Sequence, residues 1–164
     1  MKKMYFLILC IAMALVLAGC STAPCEGIAQ SLSRLRTYED MIENVSKMAE
    51  LVLDMAEEEI DANIFADMGS GRYAIPAYYD VGEARLECAL LCENAKVTAL
   101  ELALTGSGVT PAEFDEILSC AAAKFGADYT FAEADDAKTY TWAHLVLTCN
   151  AQADGANRVV VTYA

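Results

Sequence analysis

Apolar and polar positions along the chain follow two different periods. Between Glu26 and Asp67 there is no proline, and Gly27 is the only glycine. Ile28, Leu35, Ile42, Ala49 and Ala56 recur every seven residues, with Tyr38, Val45 and Val52 in the intervening slots. That is a helical stripe with coiled-coil-like spacing. Leu32, Met41, Met48, Leu51 and Met55 widen it beyond a two-stranded seam. The pattern predicts a helix over about 24–67, packed in a bundle or against a sheet. Glu57, Glu58, Glu59 and Asp61 fall late in it, where the helix dipole disfavours negative charge, so a break after Ala56 is the alternative.

Residues 69–80 read as a loop. Asp80 with Glu83 forms a capping box that opens a second helix over about 81–104, with Leu86, Leu90, Val97, Leu100 and Leu104 on its buried face. Gly106-Ser107-Gly108 ends it. Thr110 and Glu113 make a second box, with Pro111 at the first helical position and Gly126 as the stop, which predicts a helix over 111–125. Beyond Gly126 the period drops to two. Strands are expected at 129–132, 139–149 and 158–163, with turns at Asp135-Asp136 and Asp154-Gly155. The resulting fold class is α+β: three helices followed by a three-stranded antiparallel meander, helices on one face.

On a continuous 139–149 strand, Leu145, Leu147 and Cys149 share the face turned to the helices. Tyr140, Trp142 and His144 share the other, where aromatic rings are good anchors for a sugar or peptide. Those three residues are the expected ligand contacts.

Composition narrows the picture. A chain of 164 residues that is 56% hydrophobic has material for one real core and is no disordered segment. Its 11 basic and 24 acidic residues give a net charge of -13, which argues against nucleic acid as a partner, because phosphate binding needs lysine and arginine.

The N-terminus reads as an address. Lys2 and Lys3 precede an uncharged apolar run from Met4 to Val16, and Leu17-Ala18-Gly19-Cys20 follows. The run is too short for a stable membrane span and has the layout of a secretory signal. The four residues closely resemble the lipobox of bacterial lipoproteins. The resemblance implies cleavage between Gly19 and Cys20 and a diacylglyceryl group on the Cys20 thiol. It divides the chain into a signal peptide at 1–19, a lipidated cysteine with a short tether at 20–24, and one domain at 25–164. It also implies a cell-membrane location, lipid-anchored and facing away from the cytoplasm, since two acyl chains suffice for stable anchoring. Loss of Lys2 and Lys3 with the signal leaves nine basic residues against 24 acidic ones, a net charge of -15. Such a body is repelled by anionic headgroups and stands off the bilayer.

After removal of Cys10 and lipidation of Cys20, Cys25, Cys88, Cys92, Cys120 and Cys149 remain. Five thiols cannot all pair. Cys88 and Cys92, one helical turn apart in the expected second helix, face the same way, so a disulfide, if formed, would pair across elements with Cys120 or Cys149; the leading reading is buried apolar thiols in the core. The spacing lacks the tight loop of a zinc site, and no metal or cofactor is expected. His144 is the only histidine, and no nucleophile elbow, metalloprotease pair or phosphate loop accompanies it. The sequence therefore reads as a non-enzymatic binding or protein-interaction module. The alternatives are an envelope scaffold that self-associates through the 28–56 stripe and a small hydrolase using His144.

Overall fold

The computed structural model describes residues 23–105, 109–134, 136–151 and 157–164. The lipobox and the expected helix stop at 106–108 lie outside them.

The seven-residue stripe is real, but two helices carry it. Helix α1 (Ala23–Leu32) ends in a turn in which the Leu35 N–H donates to the Leu32 carbonyl at 3.2 Å. Thr37 then caps α2 (Tyr38–Val52), its hydroxyl accepting from the Asp40 N–H. Ile28, Leu35, Ile42 and Ala49 are all buried, so these positions of the stripe line the chain's own core. The single helix over 24–67 is thus corrected: α2 stops at Val52, before the acidic run that its dipole would resist, and Glu57–Glu59 form a short 3-10 turn.

The larger correction concerns residues 81–104. They form no helix. Strands β4 (Ala84–Glu93) and β5 (Lys96–Thr105) pair as a long antiparallel hairpin. Its turn residues Asn94 and Ala95 both have positive φ (52° and 60°), the signature of a type I′ turn. The alternation was present in the sequence: Ala84, Leu86, Cys88 and Leu90 point inward opposite Leu104, Leu102 and Leu100. Alanine, leucine and glutamate favour helix intrinsically, but burial of two paired rows overrides that preference.

The expected loop 69–80 contributes strands too. After β1 (Ala66–Asp67), which falls at the end of the expected first helix, they are β2 (Arg72–Ala74) and β3 (Tyr79–Val81). The expected 139–149 strand is broken by a turn at Trp142–His144 into β7 (Ala137–Thr141) and β8 (Leu145–Ala151). With β6 (Thr130–Ala134) and β9 (Asn157–Tyr163) the sheet has, among the described residues, nine strands in the order β1-β2-β4-β5-β9-β8-β7-β6, all antiparallel, with β3 beside the first half of β4. The fold is α+β, but it is not three helices followed by a three-stranded meander. Helix α2 lies across β5 and β9 on one face, flanked by α1 and by α3 (Pro111–Phe125). The opposite face carries small residues such as Ala89, Ala99 and Ala103, and an Arg72–Glu101 ion pair at 2.7 Å.

Helix α3 starts and stops where its caps place it. The Thr110 hydroxyl accepts from the Glu113 N–H at 3.3 Å, and the Glu113 carboxylate accepts from the Thr110 N–H at 2.6 Å. The same carboxylate accepts from the Tyr38 hydroxyl at 2.9 Å, tying the start of α2 to the start of α3. Burial works against the charged form of Glu113, yet its three hydrogen bonds win and hold the carboxyl below its ordinary value. Asp40 is likewise held down, first by the Arg36 N–H and then by Thr37. A carboxyl depressed in the folded state stabilises it above the unfolded pKa, here 4.5 for Glu113 and 3.8 for Asp40, and that support is lost as pH falls through the folded value. Glu113→Gln and Asp40→Asn are therefore expected to unfold at lower urea than the parent at pH 7, with the gap closing below about pH 4. A gap that persists unchanged at pH 2.5 would assign the loss to packing instead of charge.

Candidate functional site

The described residues contain a cleft of about 450 Å³ between the first turn of α3 and the inward face of the β6–β7–β8 hairpins. Register explains why these side chains meet. Glu133 faces Lys138 across β6–β7, Lys138 faces Cys149 across β7–β8, and Tyr140 sits two residues along the same face, opposite Phe131 and Leu147. Phe114 and Asp115 reach the cleft from α3, and Asp136 from the β6–β7 turn.

Aromatic rings make one wall. Tyr140 is the hub, with ring centroids 4.9 Å from Phe131, 5.4 Å from Tyr129 and 5.9 Å from Phe114. Burial raises the Tyr140 pKa, and the negative charges of Asp115 and Glu133 add to this, so the phenol keeps its proton. Cys149, 8% exposed, is pushed up by burial against the pull of the Lys138 ammonium, and its thiol stays protonated at neutral pH. Three carboxylates against one ammonium give the cleft a negative balance. Among the described residues no set of three or more His, Cys, Asp or Glu side chains is placed to hold a metal ion.

The three expected ligand contacts are separated by the Trp142–His144 turn. Tyr140 faces inward and lines the cleft. Trp142 is 5% exposed, its ring 5.0 Å from Tyr129 and its indole N–H donating to the Gly126 carbonyl at 2.7 Å. His144 is exposed, stacked on Tyr163 at 6.1 Å, with Nδ1 3.0 Å from the Ala164 carbonyl oxygen. One continuous strand would have put all three on one face; with the turn, Tyr140 lines the cleft, Trp142 is buried on the far side of Tyr129, and His144 is left exposed.

The thiols considered for a disulfide are free, as is Cys25. Cys88 and Cys92 lie on β4, Cys120 on α3 and Cys149 on β8. Burial raises the pKa of every one of them, Cys88 most, which makes them poor nucleophiles.

Sequence reasoning missed Phe114 as more than core, and missed Asp115, Glu133, Asp136 and Lys138 altogether. Period-two spacing of Phe131 with Glu133, and of Lys138 with Tyr140, was the available signal. Nothing local showed that these two pairs share a hairpin. No helix among the described residues is long and apolar enough to cross a membrane. Compared with protein families, with curated proteins and with solved structures, the chain finds no match, so what the cleft binds has to come from its own chemistry.

Proposed function

We propose that this chain is a lipid-anchored, extracytoplasmic binding module, held by a diacylglyceryl group on Cys20, whose cleft receives a cationic, partly apolar group of its ligand. The observation that carries the binding half is the pairing of carboxylates with aromatic rings in one cleft of about 450 Å³. That volume is within the usual range for ligand pockets. Carboxylates attract an ammonium or guanidinium, and the ring faces of Phe114 and Tyr140 add cation–π attraction of about 0.5–2 kcal/mol. Burial keeps the Cys149 thiol and the Tyr140 phenol protonated, so neither is a ready nucleophile. The anchoring half rests on the lipobox resemblance at Leu17-Ala18-Gly19-Cys20.

The test uses the full chain expressed in bacteria and extracted from the membrane fraction with a non-ionic detergent. Cys20→Ser is expected to lose the lipid mass and the processing that depends on it. The extracted protein is expected to bind benzyltrimethylammonium at least about tenfold more tightly than its uncharged isostere neopentylbenzene, a difference of about 1.4 kcal/mol. The Asp115→Asn, Glu133→Gln double variant is expected to lose that preference. Equal binding of the two probes, or a preference untouched by the double variant, overturns the cleft. An unmodified Cys20 overturns the anchor.

A further inference from the structure

Strand β6 is the last strand of the sheet at the cleft end. All five of its residues are exposed, and among the described residues it pairs with β7 alone. Which of its backbone groups are free follows from the hydrogen bonds of its neighbour. The Trp142 N–H donates to the Leu145 carbonyl at 2.8 Å, and the Ala151 N–H to the Asp136 carbonyl at 2.9 Å. These bonds mark both ends of the β7–β8 ladder. In an antiparallel ladder hydrogen-bonded pairs alternate with non-bonded ones. The even-numbered residues of β7 therefore bond to β8, and Ala137, Thr139 and Thr141 bond to β6. Their partners are Ala134, Ala132 and Thr130. Phe131 and Glu133 remain, with N–H and C=O both directed to the open edge.

The side chains of the same two residues stand on the cleft side of the sheet. Phe131 packs on Tyr140 and is still 51% exposed, one of the few large apolar side chains left in solvent. Glu133 lines the cleft with Asp115 and Asp136. A strand added along this edge would exchange hydrogen bonds with Phe131 and Glu133 and set its own two facing side chains over them. Antiparallel addition puts the residue facing Glu133 two positions before the residue facing Phe131.

We infer that β6 is an acceptor edge for an extended basic peptide segment of the pattern cation-x-apolar, whose lysine or arginine side chain enters the cleft. Charge selects this occupant. A second copy of β6 would bring another Glu133, on a body of net charge -13 before processing, against the first, whereas a basic strand brings the opposite sign. Strand addition is an established recognition mode in which the backbone supplies affinity and alternate side chains supply specificity. The inference rests on the cationic-ligand reading of the cleft and names the partner's class.

The test is fluorescence anisotropy at 150 mM salt with the full chain in non-ionic detergent. The probe is a labelled peptide, Gly-Thr-Lys-Thr-Val-Thr-Gly. N-methylation of its Lys or Val amide is expected to weaken binding about tenfold, since each removes one hydrogen bond to the edge, whereas N-methylation of the Thr between them is expected to change it less than about twofold. Glu133→Gln is expected to weaken the Lys peptide and to strengthen a Glu-for-Lys peptide, since it removes attraction in the first case and repulsion in the second. Benzyltrimethylammonium is titrated in the same preparation. If the peptide binds with no dependence on which amide is methylated, charge alone holds it and the strand-addition inference falls. If the ammonium probe binds and the peptide does not, the inference falls and the cleft reading stands. If neither binds, both fall. If the protein instead sediments as a dimer from which excess peptide is excluded, the edge belongs to a second copy and the inference is overturned.

Discussion

Trp142→Ala is expected to lower the free energy of unfolding by about 3–5 kcal/mol, the usual range for deleting a buried aromatic side chain. The residue is 5% exposed and closes the cluster formed with Tyr129 and Tyr140. Two losses combine. Removing the ring empties space between the β7–β8 turn and the end of α3, and removing the indole N–H leaves the Gly126 carbonyl without its 2.7 Å donor. Trp142→Phe separates them: the ring is mostly kept and the donor is lost, with an expected loss of about 1–3 kcal/mol. Urea unfolding followed by far-ultraviolet circular dichroism measures both variants. If Trp142→Ala unfolds within about 0.5 kcal/mol of the parent, the size of an ordinary surface substitution, the indole is no part of the core and a role as a ligand contact regains its place.

Gly71→Ala is expected to be the second large loss, about 2–5 kcal/mol. The β1–β2 turn runs through Gly69, Ser70 and Gly71, all with positive φ. Gly71 has φ +72°, and a Cβ there would stand 2.4 Å from the Cys92 carbonyl oxygen. That oxygen is backbone and cannot swing away, because the Cys92 N–H is itself bonded to the Gly71 carbonyl at 2.7 Å. The left-handed backbone contributes about 1–2 kcal/mol of the loss and the forced separation of β2 from β4 about 1–3 more. Gly69 is the internal control. Its φ is +81°, yet nothing lies within 4 Å of its Cβ position, so Gly69→Ala is expected to show the backbone penalty alone, about 1–2 kcal/mol. Equal losses for the two variants would mean that the approach to Cys92 does not govern the turn.

The two positions show where sequence reasoning reaches its limit. A glycine pair in a loop announces a turn, but which glycine is pressed against another strand depends on β4, some 20 residues downstream. The indole of Trp142 could be assigned to either face of a strand until the chain was seen to turn at 142–144. A one-residue change of course moves every side chain beyond it to the other face. The expected aromatic face over Tyr140, Trp142 and His144 was lost for that reason, while Tyr140 alone came to rest at the cleft. Helix and strand were confused over 81–104 because Leu86, Leu90, Leu100 and Leu104 satisfy both periods. Cys88 and Leu102, which complete the alternation, are what the helical reading passed over.

By itself the sequence determined the features whose causes lie within a few residues of one another. The capping pair Thr110–Glu113 is a bond between side chain and backbone three positions apart, and Pro111 and Gly126 act through their own torsion angles; Thr37–Asp40 is a pair of the same kind that the reading of one helix over 24–67 passed over, while the Asp80–Glu83 pair opens no helix. The burial of Ile28, Leu35, Ile42 and Ala49 follows from a spacing legible along the chain, even though the helix carrying it is interrupted. Only the tertiary structure decided that 84–105 is a hairpin, that the nine strands of the described residues form one sheet, and that Phe114, Asp115, Glu133, Lys138 and Tyr140 meet. Each of those outcomes is settled by partners far apart in sequence, where the burial gained by pairing outweighs local preferences worth less than about 1 kcal/mol per residue.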